Sequence, residues 1–581
     1  MGFLKPELPV VEFDEWSKGT WADKIRPMAR HWAEVGFGTP VVLHLFYVVK
    51  ILLYVLGAWL VVLTTAGIDG FTAVGQWWTE PIVFQKVVLY TMLFEVVGLG
   101  CGFGPLNNRF LPPLGSILYW LRPNTIRLPP WPDRIPFTKG DNRAPVDVAL
   151  YAALLIVLVV ALFSDGTGPI PALGTEVGVL PLWQIWAILG LLAVAGLRDK
   201  VIFLAARGEV YASFTVAFLF GGVDMLIAAK LVCVVIWVGA ATSKLNKHFP
   251  FVISTMMSNS PIVRPRALKR LFFERFPSDL RPGRLSRVVA HFSTAVEMLV
   301  PLVLLFTHGG WPTAIAAFVM VCFHLGILSA IPMGVPLEWN VFMIFSVIAL
   351  FVGHAGIGLS DMTTPLPVLL FAVLATTVVV GNLFPRKVSF LPGMRYYAGN
   401  WDSSLWCLKP SAAEKIAAGL VAIASMPQAQ LEKVYGSPEA AQIPLYLGYA
   451  FRSFNTHGRM MFTLAHRAMA GPSGTDSEDD YVMTDGERIC STAIGWNFGD
   501  GHMHNEQLIA AMQKRCHFEP GEVRVVLIDA QPIHVQAQRY RLVDAATGEF
   551  ESGYIKVADA VTRQPWDDQV PVYVDARPGI G

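Results

Sequence analysis

The chain has 581 residues, 54% of them hydrophobic and 15% charged, with a mean hydropathy of +0.48, a composition of polytopic membrane proteins that excludes an ordinary soluble globular domain. A net charge of +1, with Lys and Arg scattered loop by loop, argues against nucleic acid as a partner, because phosphate neutralisation needs a concentrated basic footprint. The six cysteines include no CxxC pair and indicate neither a disulfide framework nor a zinc site.

Residues 1–39 form a cytoplasmic or interfacial segment. Glu7, Glu12, Asp14 and Glu15 precede any apolar run, so the basic start of a cleaved signal peptide is lacking and the first span is expected to direct insertion. Trp16, Trp21 and Trp32 suit either a polar leader or a surface segment whose rings settle at the lipid headgroups. Apolar runs long enough to cross a hydrocarbon core of ~30 Å follow at 40–64, 82–102, 146–163, 179–197, 211–243, 288–308, 311–332, 337–356 and 365–384. Pro105 to Trp120, amphipathic and broken by prolines, reads as interfacial or re-entrant.

Connectors 103–145 and 244–287 are rich in Lys and Arg, whereas 65–81, 164–178 and 357–364 contain none. Basic connectors face the cytoplasm, which places both termini there in a multi-pass protein of the plasma membrane. One conflict arises. The segments before and after 211–243 are both basic, so an even number of crossings should separate them, yet 33 residues are long for one span and short for two. Gly221-Gly222 is a candidate turn, and the expected fold is an all-α bundle of nine or ten spans at 40–385, followed by a soluble cytoplasmic α/β tail at 400–581. Tyr396, Tyr397, Trp401 and Trp406 are expected to form an aromatic belt at the exit. In the tail, 411–435 and 504–516 have helical spacing; 522–529, 533–544 and 549–558 suit strands.

Ionisable residues inside apolar runs are the chemical candidates, since a charge at the bilayer centre costs roughly 2.5–3.5 kcal/mol on insertion scales and needs protein, water or a partner. They include Glu95, Asp224, Lys230, Glu297 and His324, while Lys50 and Lys86 read as snorkelling side chains. Thr294, Glu297 and Pro301 share one helix face; Lys230 and Lys244 lie fourteen apart on one helix, the first in mid-membrane and the second at its cytoplasmic mouth. A desolvated Lys can act as a base, the alternative for Lys230 being an ion pair with Glu297 or Asp224 that fixes packing. His324 is either a neutral imidazole bonded across helices or a proton shuttle. His502 and His504, beside Asp500, Glu506 and His517, are weak metal-ligand candidates if the HxH segment is extended, and no metal is otherwise expected.

Trp237 to Pro250 (WVGAATSKLNKHFP), continuing through HFSTAVEMLVPLVLLF and FHLGILSAIPMGVPLEW, resembles the vitamin K-dependent γ-carboxylase and its bacterial relatives, the horizontally transferred transmembrane domain proteins. The resemblance implies that Lys244 is the base, Glu297-Pro301 the acidic span and His324 the membrane histidine, with a quinone as the implied cofactor or substrate. Two features depart from it: Lys244 and the tail are placed on the cytoplasmic side, whereas the eukaryotic carboxylase works on the lumenal side, and nothing resembles a propeptide-binding region. At full length the chain resembles a family of actinobacterial polytopic membrane proteins of unknown function with a soluble C-terminal tail. Two functions are therefore expected. One is an enzyme acting on a quinone or lipid-like molecule, with Lys244, Glu297 and His324 catalytic and Lys230, Asp224, Trp237 and Glu95 binding substrate. The other is a non-enzymatic lipid or small-molecule transporter or assembly subunit, its tail docking a protein partner.

Overall fold

The structure, a computed structural model, describes residues 2–100, 115–329, 337–395, 398–474, 476–496 and 501–578. An N-terminal helix α1 (Trp21–Val35) precedes the apolar runs, each of which is helical: α2 (Val41–Val62), α3 (Pro81–Val96), α4 (Pro145–Leu162), α5 (Leu182–Arg198), α6 (Gly208–Ala217) and α7 (Val223–Ser243). After α8 (Phe249–Asn259) and a short hairpin at 273–282 come α9 (Arg284–Phe306), α10 (Gly310–Leu328), α11 (Leu337–Ser346, continued by a π-helical stretch to Gly353) and α12 (Leu366–Leu383). Six helices among the described residues, α2, α4, α7, α9, α10 and α12, are long and apolar enough to cross a membrane.

They are not equivalent. Inside the protein lies 89% of the apolar window of α7, against 22–33% for the other five. Rows of Val, Leu, Ile and Phe on the outer helices face outward, which suits contact with lipid, while α7 is the axis on which α9 and α12 pack.

The 211–243 run is two helices. It breaks after Ala217, and Gly222 before α7 adopts φ +56°, a left-handed conformation that costs glycine least. Residues Phe214 and Phe218 pack on Phe84 near the start of α3, whereas Tyr211 meets Trp339 and Phe342 of α11. At the start of α7, Asp224 accepts hydrogen bonds from the Thr363 N–H (2.8 Å) and from the hydroxyls of Thr363 (2.9 Å) and Thr364 (2.6 Å).

In the tail, strands β1 (Ser403–Leu408), β2 (Val482–Asp485), β3 (Val523–Ile528), β4 (Ala537–Asp544), β5 (Gly548–Lys556) and β6 (Tyr573–Ala576) form one sheet in the order β2-β1-β3-β4-β5-β6, antiparallel throughout. The helices beside it are α13 (Pro438–Phe454), α14 (Thr456–Ala470), α15 (Gly486–Ala493) and α16 (Glu506–Cys516). Three expected strands and the 504–516 helix stand close to where the alternation places them.

Several aromatic assignments change. Trp16, before α1, and Trp32, within it, are buried against the tail, 5.1 Å from Tyr446 and 4.9 Å from Phe451, because an amphipathic helix buries its apolar face on whatever protein surface meets it. Trp406 lies in the middle of β1, whose six residues are all buried, and Trp401 is buried too, so neither forms an exit belt; Tyr396 and Tyr397 lie outside the described residues. Residues 411–435 split into helices at Pro410–Gly419 and Pro427–Tyr435. Of the Pro105–Trp120 segment, 115–120 is a helix that docks on the tail, Tyr119 and Trp120 donating to the carbonyls of Ala493 (2.5 Å) and Ile494 (3.0 Å); residues 105–114 lie outside the described residues.

Candidate functional site

At the C-terminal end of α7, helix geometry hands the chain to a turn, and Lys244 follows the last helical residue with its stem buried. Its ammonium meets the Glu297 carboxylate of α9 in a direct ion pair, the two side chains only 5% and 7% exposed. The rings of Phe249 (5.1 Å) and Phe323 (5.8 Å) flank the ammonium, adding cation–π contact where water is scarce. Thr294, Glu297 and Pro301 are all buried on one face of α9, as their spacing requires.

His324 of α10 completes the group. The indole N–H of Trp237 on α7 donates to His324 Nε2 (3.0 Å), so that nitrogen is unprotonated and the proton sits on Nδ1, which donates to Asn340 Oδ1 on α11 (2.7 Å). One tautomer is thereby held across three helices, with both ring nitrogens engaged.

Lys244, Glu297, Trp237, His324 and Asn340 line one cavity of about 590 Å³. Its remaining walls are mostly apolar side chains of α7, α8 and α10 together with α13. Among its lining residues Ile262 and, on α10, Cys322 and Gly326 are exposed. The tail contributes Arg452, Asp485, Glu487 and Arg488 to its wall.

The other predicted residues lie elsewhere. Lys230 pairs with neither Glu297 nor Asp224; it donates to the carbonyls of His354 (2.8 Å) and Ile357 (2.5 Å), closing the C-terminal end of the α11 stretch. Asp224 holds the 363–364 turn, and neither residue lines the cavity. Glu95 of α3 sits 3.9 Å from Arg207, whose guanidinium lies over the Trp339 ring at 5.3 Å. Lys50 does not snorkel: it is buried and ion-pairs with Glu338 at 2.8 Å, and Lys86 is buried with its ammonium on the Thr65 hydroxyl at 2.6 Å.

The HxH pair falls in a turn, 501–505, and not on a strand, so its rings diverge: His504 bonds the Ser404 hydroxyl (2.7 Å), while His502 bonds the Arg386 carbonyl (3.0 Å). Asp500 lies outside the described residues, and among those described no group of three His, Cys, Asp or Glu is placed to hold a metal ion.

Sequence reasoning missed Asn340, Arg452, Asp485, Glu487 and Arg488. Asn340 stands near the start of the 337–356 apolar run, where a polar side chain is itself a signal, but the four tail residues carry no signal of their own, since charged residues in a soluble segment are ordinarily solvated.

Fold and site define a polytopic helical membrane protein with a sheet domain packed on one end of its bundle and a cavity lined by both. The chain belongs to the family described as "Transmembrane protein of unknown function (DUF3556)", which it matches over residues 1–575. No curated protein and no solved structure matches it. Membership establishes a transmembrane protein in contact with lipid and assigns no activity.

Proposed function

We propose that this protein takes a quinone or lipid-like molecule from the bilayer into the Lys244–Glu297–His324 cavity and acts on it as a membrane-embedded enzyme, in the manner of the carboxylase-like membrane proteins. The observation that carries the reading is a buried Lys244–Glu297 ion pair in the wall of an otherwise largely apolar cavity that exposed residues of α10, Cys322 and Gly326, also line. A volume of about 590 Å³ suits a small ligand, for which pockets run roughly 300–1,000 Å³. Lys244 becomes a base when its proton passes to the carboxylate it touches, so the pair holds one transferable proton beside the ligand space. His324, engaged at both nitrogens, serves as a fixed polar wall, and the proton work falls to Lys244 and Glu297.

In this reading the chain crosses the plasma membrane ten times, with both termini and the tail cytoplasmic. Asp224 binds the Lys-free 363–364 turn and Lys244 opens the basic connector, which supports α7 running from outside inward. The path in the other direction is then α6, about 15 Å at ~1.5 Å per residue, and the turn at 218–222, where the N–H groups of Phe218, Leu219 and Phe220 donate back to the carbonyls of Phe214, Val216 and Ala217.

The test is mass spectrometry of small molecules co-purifying with the full chain, native and Ser293→Trp, which fills the cavity from α9. The expected result is a quinone or lipid in the native protein, depleted at least about tenfold in the variant at unchanged thermal stability. Equal amounts in both would overturn the reading. A second reading, a non-enzymatic lipid transporter or assembly subunit, draws on the tail's share of the cavity wall, which offers a lipid a route off the bilayer. It predicts that transfer between vesicles survives the paired replacement Lys244→Met with Glu297→Leu, whereas turnover by an enzyme would not.

A further inference from the structure

The tail's charged side chains in the cavity wall have unequal partners. Arg452 on α13 ion-pairs with Asp485 and lies 3.3 Å from Glu487. Asp485 also caps α15, its Oδ1 accepting the Glu487 N–H at 2.9 Å. Both carboxylates are thus already directed at Arg452 or at the helix start. Arg488 is different: among the described residues it makes no hydrogen bond and no ion pair, although Asp485 and Glu487 act on it through space. It is half-buried, lines the cavity, and lies so close to Gly448 that a Cβ there would sit 3.6 Å from Nη2.

An Arg that stays charged in a confined space without a partner leaves planar, paired N–H donors open, and these match a carboxylate or phosphate bidentately. The apolar lining that runs from it through Tyr449 and Phe451 to Met256, Ile236 and the Lys244 region suits hydrocarbon. We propose that Arg488 is the head-group receptor of this cavity, taking the phosphate or carboxylate of an anionic amphiphile whose hydrocarbon lies along the apolar lining toward Lys244 and Glu297. This rests on the ligand-binding reading above and narrows it: an unmodified quinone offers no anion to Arg488, and a phospholipid, a phosphorylated polyprenol or a fatty acid does.

The experiment is direct binding to the full chain in nanodiscs of phosphatidylcholine, titrated with phosphatidic acid, oleate, diacylglycerol of matched chains and a menaquinone. The expected result is that phosphatidic acid or oleate binds at least about tenfold more tightly than diacylglycerol, a difference of about 1.4 kcal/mol. Whichever of the two anions prevails assigns phosphate or carboxylate. Arg488→Gln abolishes that preference while leaving diacylglycerol binding intact, Arg488→Lys restores part of it, and Arg539→Gln, at a side chain 72% exposed on the tail, has no effect. Loss of the preference in Arg539→Gln as well would reduce the effect to surface charge and overturn the assignment. Equal binding of all four probes, or a preference that survives Arg488→Gln, overturns the Arg488 assignment and leaves the cavity reading standing. Binding of none of the four, with Ser293→Trp indistinguishable from native, overturns both.

Discussion

The two ends of α7 each bury a lysine, and they differ in what closes the charge. Toward the N-terminal end Lys230 is satisfied by two backbone carbonyls, and Asp224 by a backbone N–H and two hydroxyls of a turn. Every partner belongs to the scaffold, and neither residue borders the cavity, so these charges lock the end of α11 and the start of α12 onto α7. At the C-terminal end Lys244 is closed by another side chain, Glu297, in a cavity wall where a ligand can reach both. A buried charge saturated by backbone is architecture; a buried charge neutralised by a movable side chain next to open space can do work.

That contrast is broken most severely by Lys244→Ala, which leaves Glu297 buried and uncompensated and is expected to cost about 3–5 kcal/mol, measured as detergent-solubilised unfolding. Lys244→Met with Glu297→Leu is expected to recover most of this stability, because no isolated charge remains.

Just past the C-terminal end of α7 stands His248, outside the spans, which ties the basic connector to the tail. Its Nε2–H donates to Gln531 Oε1 (2.7 Å), Nδ1 accepts from the Thr456 hydroxyl, and burial pushes its pKa down to about 4. A folded pKa below the unfolded ~6.5 means that the unfolded state takes up the proton first. Stability is therefore complete above about pH 6.5 and falls progressively toward pH 4, by up to about 3 kcal/mol. His248→Gln should flatten that slope in pH-dependent unfolding, and an unchanged slope would place its origin elsewhere.

Toward the N-terminal end of α7 the effects are smaller. Lys230→Met is expected to cost about 2 kcal/mol, since two carbonyls lose a charged donor. Asp224→Asn, which keeps the shape and part of the bonding, should cost about 1 kcal/mol. Both should leave the co-purifying amphiphile unchanged. Loss of ligand in either would erase the distinction between the two ends.

Much of the membrane part was legible because bilayer chemistry is severe: helices form wherever the apolar runs stand, and Gly221-Gly222 breaks the run that was too long for one span and too short for two. The face shared by Thr294, Glu297 and Pro301 was legible from helical period alone. The tail was half legible. Strands with plain alternation stand where expected, but β1, whose residues are buried on both faces, reads in sequence like an aromatic belt and pairs with strands more than 70 residues away.

Of the candidate site, sequence alone determined that Glu297 and His324 must be buried and must find partners, because a charge or imidazole in an apolar run has few other outcomes, whereas it placed Lys244, just past the 211–243 run, only at a cytoplasmic mouth. Tertiary structure decided which partners: Lys244 with Glu297 but Lys230 with carbonyls, and His324 held between Trp237 and Asn340. It also decided that tail residues Arg452, Asp485, Glu487 and Arg488 share the cavity with the membrane helices. The physical reason is the range of the forces. Hydropathy and periodicity act over a few residues and are written locally, whereas ion pairs and cavity walls join positions hundreds of residues apart, which only the packed chain brings together.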